Sequence, residues 1–295
     1  MSDVTAPLRN HKPTREFFIA IDSDGCAFDS MEIKHKECFI PNIINHWNLQ
    51  AISKYARDAA EFVNLYSKWR GINRFPALLM TFDLLKEHDA VKARKVEIPA
   101  VPNLRRWCET ETKLGNPALA AYCETHDEAD MHQALRWSKA VNATVDDMVH
   151  GVPPFPMVRE SLAKATKRAD MVVCSATPQD ALIREWKEHD IEQYVFFIAG
   201  QEQGSKKEII EMSGKGKYPD EKILMIGDAP GDHKAAKSNG ALFYPINPGG
   251  EEASWQRFHD EALDRFFDGT FAGAYEEGLI KEFEALLPST PPWKK

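Results

Sequence analysis

The stretch Phe17-Phe18-Ile19-Ala20-Ile21-Asp22-Ser23-Asp24-Gly25 runs five apolar residues straight into two carboxylates one residue apart. A continuous apolar run of that length has the dimensions of a strand buried on both faces, as in a parallel sheet. Asp22 and Asp24 would then emerge at the carboxyl edge of the sheet, where open α/β sheets bind ligands. Two like charges that close are unfavourable unless a cation or a reaction needs them. The segment is therefore a candidate metal and phosphate site.

Outward from this stretch the chain changes character twice. From about Met31 to His150 apolar residues recur three or four apart, as in Phe62, Leu65, Tyr66 and Trp69, and again in Leu78, Leu79, Phe82 and Leu85. That spacing predicts helices, divided by breakers at Pro41, Gly71, Pro76, Pro99, Pro102, Gly115 and Pro117. After Gly151-Val152-Pro153-Pro154 short apolar runs alternate with helical patterns. Strands are expected at Met171–Cys174, Val195–Ile198, Lys222–Ile226 and Ala241–Tyr244, with helices at Gln179–His189, Lys206–Met212 and Asp232–Ser238 between them. Such alternation implies a Rossmann-like α/β core with a parallel sheet covered on both faces. The expected organisation is a discontinuous core over 1–31 and 151–250, an inserted all-helical domain over 32–150, and a helical extension over 251–295 packed on the core.

Composition narrows the function classes. A formal net charge of −8 over 295 residues argues against a nucleic-acid binder that relies on a basic face. No apolar run approaches the roughly 18 residues that cross a bilayer, and the first fifteen residues lack the apolar core of a signal peptide. Five scattered cysteines form no Cys-x-x-Cys pair, which suits reduced thiols and a cytoplasmic protein. Gly214-Lys215-Gly216-Lys217 lacks the spacing of a nucleotide-binding loop, and His126 and His132 are not spaced as a helical zinc pair.

Four expected strand ends or helix starts carry polar residues suited to one site: Asp22 and Asp24; Ser175; Lys206 after Gly204-Ser205; and Asp228 to Asp232. In a parallel sheet these gather at one edge. The ordered series Asp-x-Asp, Ser, Lys, Asp-x-x-x-Asp resembles the haloacid dehalogenase-like hydrolase superfamily, over residues 17–30 and about 170–247, with 32–150 in the place of the family's helical cap. The resemblance implies a magnesium-dependent phosphatase. Asp22 would be the nucleophile that forms an aspartyl-phosphate, and Asp24 the general acid and base. Mg2+ would be held by Asp22, the backbone carbonyl of Asp24, and Asp228. Asp232 would orient a metal-bound water or the lysine, while Ser175 and Lys206 would stabilise the phosphoryl oxygens. Lys207 competes for the lysine role, and Lys206 is preferred because Ile209 and Ile210 follow it at the family's apolar positions. Cys26 stands where many members have threonine.

The resemblance leaves the substrate open beyond a small phosphorylated metabolite. Trp69-Arg70-Gly71-Ile72-Asn73-Arg74-Phe75 makes Arg70 and Arg74 candidates for an anionic or hydroxylated substrate group, against the alternative that both pair with carboxylates of their own domain. A phosphonate hydrolase, a phosphotransferase or mutase, and a non-catalytic binding protein are the competing readings.

Overall fold

The computed structural model describes residues 3–294. The expected strands form one five-stranded sheet: β1 (Phe17–Ile21), β2 (Ala169–Cys174), β3 (Phe197–Ala199), β4 (Ile223–Gly227) and β5 (Leu242–Pro245). Their order is β3-β2-β1-β4-β5, and every pairing is parallel. The third strand is shorter and later than the Val195–Ile198 run suggests, because Glu192–Tyr194 forms a 3-10 turn that delays entry into the sheet.

β1 is central, and all five of its residues are buried, as the unbroken apolar run requires. On one face Phe17, Ile19, Ile21, Met171, Val173, Leu224 and Ile226 share a core with Trp186, Trp255, Phe258 and Phe266. On the edge strand β5, Phe243 meets Phe283 edge-on, with ring centroids 5.9 Å apart. The carboxylate of Glu276, itself buried, accepts the Phe243 backbone N–H at 2.9 Å. A helix thus satisfies a sheet edge that would otherwise present an open donor.

The chain divides into two compact units. The first comprises residues up to Met31 together with Gly151–Leu286, and it holds the sheet. The second comprises Glu32–His150 and the chain from Leu287 onward. No strand occurs among the described residues of the second unit; its long helices are Ser53–Asn64, Arg74–Glu87 and Ala129–Met148. Its aromatic residues are core: Phe75 packs edge-on against Trp107 at 5.2 Å and Trp137 at 6.0 Å, and Trp47 against Phe82 at 5.2 Å. Asn73 caps the second of these helices by accepting the Phe75 N–H at 3.0 Å, which accounts for a helix start immediately after the Gly71 break.

The end of the chain departs from the expectation that the whole stretch 251–295 packs on the core. Residues through Leu286 do belong to the first unit, but the following ones join the second. The anchor is Trp293, whose ring lies 5.8 Å from Phe62 and 5.6 Å from His88, reinforced by a Lys294–Glu87 ion pair. A run of prolines after Leu287 cannot continue a helix, so the chain leaves its last helix extended and finds an aromatic seat elsewhere. Among the described residues no helix is long and apolar enough to cross a membrane.

Candidate active site

The carboxylate pair leaves β1 in a tight loop. Asp22 still belongs to the ladder, its N–H donating to Ile226 O at 3.0 Å. The carbonyl of Ser23 then accepts the N–H groups of Cys26, Ala27 and Phe28 at 3.3, 2.9 and 3.0 Å. Gly25 takes φ of 72°, a left-handed conformation that glycine adopts without cost, and its N–H closes the turn on Phe28 O. The hydroxyl of the wholly buried Ser23 accepts from the Trp186 indole N–H at 3.0 Å and donates to Glu185 at 3.1 Å. The Trp255 indole N–H donates to Cys26 O at 2.7 Å. Two tryptophans therefore pin the loop between and beyond the carboxylates.

The other residues of the series arrive on capped helix starts. Lys206 is the first residue of the helix Lys206–Ser213, where Ser205 and Glu208 form a reciprocal capping box. Asp232 lies in the first turn of the helix Pro230–Ser238 and accepts the Ala229 N–H at 3.1 Å. Gly227 is required there, since a Cβ would fall 2.5 Å from Asp232 Cγ. Ser175 follows β2 and donates its N–H to Ala199 O of β3 at 3.1 Å.

These starts bring the acidic residues together. One carboxylate oxygen each from Asp22, Asp228 and Asp232 lies within 4.8 Å of the others, and all three residues are buried. The Lys206 ammonium donates to Asp22 at 2.6 Å and to Asp232 at 2.5 Å. Of the two adjacent lysines, Lys206 reaches the carboxylates, whereas Lys207 is exposed. Three buried carboxylates thus crowd together with the Lys206 ammonium. Burial, then the Asp232 and Asp228 carboxylates, push the Asp22 pKa well above the carboxylate range, against the pull of Lys206. Burial also raises Asp232. Burial opposes the Lys206 ammonium, but Asp22 and Asp232 more than offset it and raise its pKa. An all-oxygen donor set of this kind fits a hard divalent cation.

Asp24 is held differently. Its Oδ1 accepts the Ser30 hydroxyl at 2.5 Å and its Oδ2 the Thr177 hydroxyl at 2.6 Å. Thr177 in turn donates its N–H to Ser175 Oγ at 3.2 Å, which links the second and first segments of the series. A hydroxyl can donate to a carboxylate or accept from a carboxylic acid, whereas an ammonium can only donate. The Lys206 contact of Asp22 favours its ionised form, whereas the two hydroxyl contacts of Asp24 are compatible with either state. Neither Thr177 nor the Ser23–Trp186–Glu185 contact was foreseen in the sequence. The one local signal is the small hydroxyl residue Ser23 between the two carboxylates.

Arg70 and Arg74 lie in the second unit. Arg70 is buried, with Nη1 donating to Leu65 O at 3.0 Å, which suits a role in holding its own turn. Arg74 directs Nη1 at Ser138 O (3.2 Å), Ser138 Oγ (3.1 Å) and Asn142 Oδ1 (2.6 Å), with its guanidinium 4.9 Å from the centre of the Phe39 ring. Among the described residues no carboxylate pairs with it. Burial lowers its pKa to about 10, which leaves it charged at neutral pH.

The family model described as haloacid dehalogenase-like hydrolase matches residues 108–244. Over that span, a little under half of its length, the chain is similar to the haloacid dehalogenase-like hydrolases. The matched span includes Ser175, Lys206, Asp228 and Asp232 and stops short of Asp22 and Asp24. No curated protein matches the chain. Solved structures similar to it include a haloacid dehalogenase-like family hydrolase from Streptococcus pneumoniae, at 13% identity and a TM-score of 0.44, covering 83% of this chain and 91% of that one. A protein named as a predicted phosphoglycolate phosphatase from Haemophilus somnus has 13% identity and a TM-score of 0.45, with 79% and 86% covered. A hydrolase from Pseudomonas syringae has 14% identity and a TM-score of 0.44, with 85% and 98% covered. At these scores the likenesses carry no weight for substrate or mechanism.

Proposed function

We propose that this protein is a magnesium-dependent phosphate monoester phosphatase that works through an aspartyl-phosphate on Asp22 and acts on a small phosphorylated metabolite in the cytoplasm. The observation that carries the proposal is the division of the carboxylate pair: Asp22 tied to an ammonium, Asp24 held by hydroxyls.

Asp22 would attack phosphorus with one carboxylate oxygen while Lys206 holds and orients the other, the ionised form being favoured by Lys206 together with the bound cation. Asp24 would pass its proton to the departing ester oxygen, and then take a proton from the water that hydrolyses the acyl phosphate. Ser175 would donate a hydrogen bond to a non-bridging phosphoryl oxygen, and Lys206 would offset charge there. Asp232 would fix the lysine through its 2.5 Å contact. The Mg2+ ion would be held by Asp22, Asp228 and the backbone carbonyl of Asp24, with Asp232 beside it. When bound it supplies positive charge and polarises the phosphoryl group.

The test is hydrolysis of an aryl phosphate by the purified protein with and without magnesium. Turnover that requires the ion and is lost in Asp22→Asn supports the reading. Metal binding with no turnover across a broad panel of phosphomonoesters would contradict it.

A further inference from the structure

We infer that Thr177 is a positioning residue for Asp24, holding the acid/base carboxylate at the angle that proton transfer to the leaving group needs. The inference rests on the phosphatase reading above and adds a residue outside the series Asp22, Asp24, Ser175, Lys206, Asp228 and Asp232.

The geometry is specific. Thr177 Oγ1 donates to Asp24 Oδ2 at 2.6 Å, while Ser30 Oγ occupies the opposite oxygen, so the carboxylate plane is fixed from both sides. Thr177 is itself immobilised. Its N–H donates to Ser175 Oγ at 3.2 Å, and its carbonyl accepts the Gln201 N–H at 3.1 Å. The neighbouring backbone is packed so closely that a Cβ on Gly200 would lie 2.6 Å from Thr177 O and 2.5 Å from Gln179 N. A side chain this constrained can impose an orientation on its partner. Thr177 is also half-buried rather than part of the apolar core, so its hydroxyl is not there to fill volume.

Positioning of this kind matters most where the leaving group needs its proton. An aryl oxide departs readily without one, whereas an alkoxide does not, and misplacement of a catalytic group by an ångström can cost on the order of 10²-fold. Thr177→Val keeps the shape and removes the donor. The experiment compares the single-turnover rate of phosphoryl transfer to the enzyme, the step in which the leaving group departs, for wild type, Thr177→Val and Thr177→Ser on an alkyl phosphate and an aryl phosphate, with thermal unfolding as a check on folding. The variant pair is repeated in an Asp24→Asn background.

The expected result is a fall in the single-turnover rate of phosphoryl transfer on the order of 10²-fold for Thr177→Val on the alkyl phosphate and within about threefold on the aryl phosphate. The unfolding midpoint stays near wild type, and Thr177→Ser restores the rate. In the Asp24→Asn background Thr177→Val should have no further effect, because both changes remove the same function. Equal losses of that rate on both substrates, additive losses with Asp24→Asn, or a wild-type rate in Thr177→Val would overturn the assignment. Failure of the wild type to hydrolyse either phosphate would instead refute the phosphatase reading, and the role of Thr177 would fall with it.

Discussion

Lys206 is the residue on which the acidic cluster depends. Its ammonium contacts two of three buried carboxylates, and removing one partner of a buried charge pair costs about 3–5 kcal/mol because the remaining charges are left uncompensated. Lys206→Met is expected to abolish turnover and to lower thermal stability in EDTA, with part of that stability returned by magnesium. A variant as stable in EDTA as the wild type would show that the cluster relaxes without its lysine. Gly227 makes a second test at this scale. Gly227→Ala places a methyl group against the Asp232 carboxylate, and such overpacking costs about 1–3 kcal/mol. Turnover should fall with stability; unchanged kinetics would mean that Asp232 can move without consequence. The residue roles were partly legible in the sequence, since the ordered series names the carboxylates, the serine and a choice of two lysines. The structure separates Lys206 from Lys207 because only the first residue of that helix points its ammonium back to β1. Thr177 and the Ser23 contacts were not legible. They depend on rotamers brought together across some 150 residues of sequence, and no local pattern encodes that.

At the level of elements, β2 carries a second polar assembly, near its amino end and away from the site. Asp170 accepts the Thr14 and Arg15 N–H groups at 2.8 and 2.9 Å, the Thr14 hydroxyl at 2.5 Å and the Tyr218 hydroxyl at 2.6 Å. Burial alone would raise its pKa, but these donors outweigh burial and lower it below the ordinary carboxylate value. A depressed folded-state pKa gives stability that is complete above the unfolded value and is lost as pH falls through the folded one. His11 lies 3.7 Å away and bonds the Tyr218 hydroxyl at 2.9 Å; burial lowers its pKa despite Asp170, so it adds a loss of the same sign that begins nearer its ordinary value of 6.5. Unfolding midpoints should therefore decline on acidification, and Asp170→Asn should flatten that decline while lowering stability at neutral pH. An acid limb identical in the variant would assign the effect to other carboxylates. The alternation of strands and helices predicted these elements, because strands buried on both faces are continuous apolar runs. The strand order could not be read from periodicity, which is silent on which strand becomes central.

Across the whole molecule, two units are joined by chain that passes between them three times, after Met31, after His150 and after Leu286. The third passage ends in the second unit with Trp293 against Phe62 and His88. Truncation after Leu286 removes that aromatic seat and should destabilise the helical unit by about 1–3 kcal/mol, the scale of one large apolar side chain. A midpoint unchanged by truncation would show that the tail contributes nothing to the unit. The tail's destination was not visible in the sequence, since its prolines mark where a helix stops but not where the chain goes next. The central claim, however, concerns a single bond. Rapid mixing of the protein with an aryl phosphate and magnesium, acid quench and peptide mass analysis would locate any transferred phosphoryl group. A phosphoryl adduct on the peptide containing Asp22, absent from Asp22→Asn, is the expected result; turnover with no adduct, or an adduct on another residue, would contradict the account.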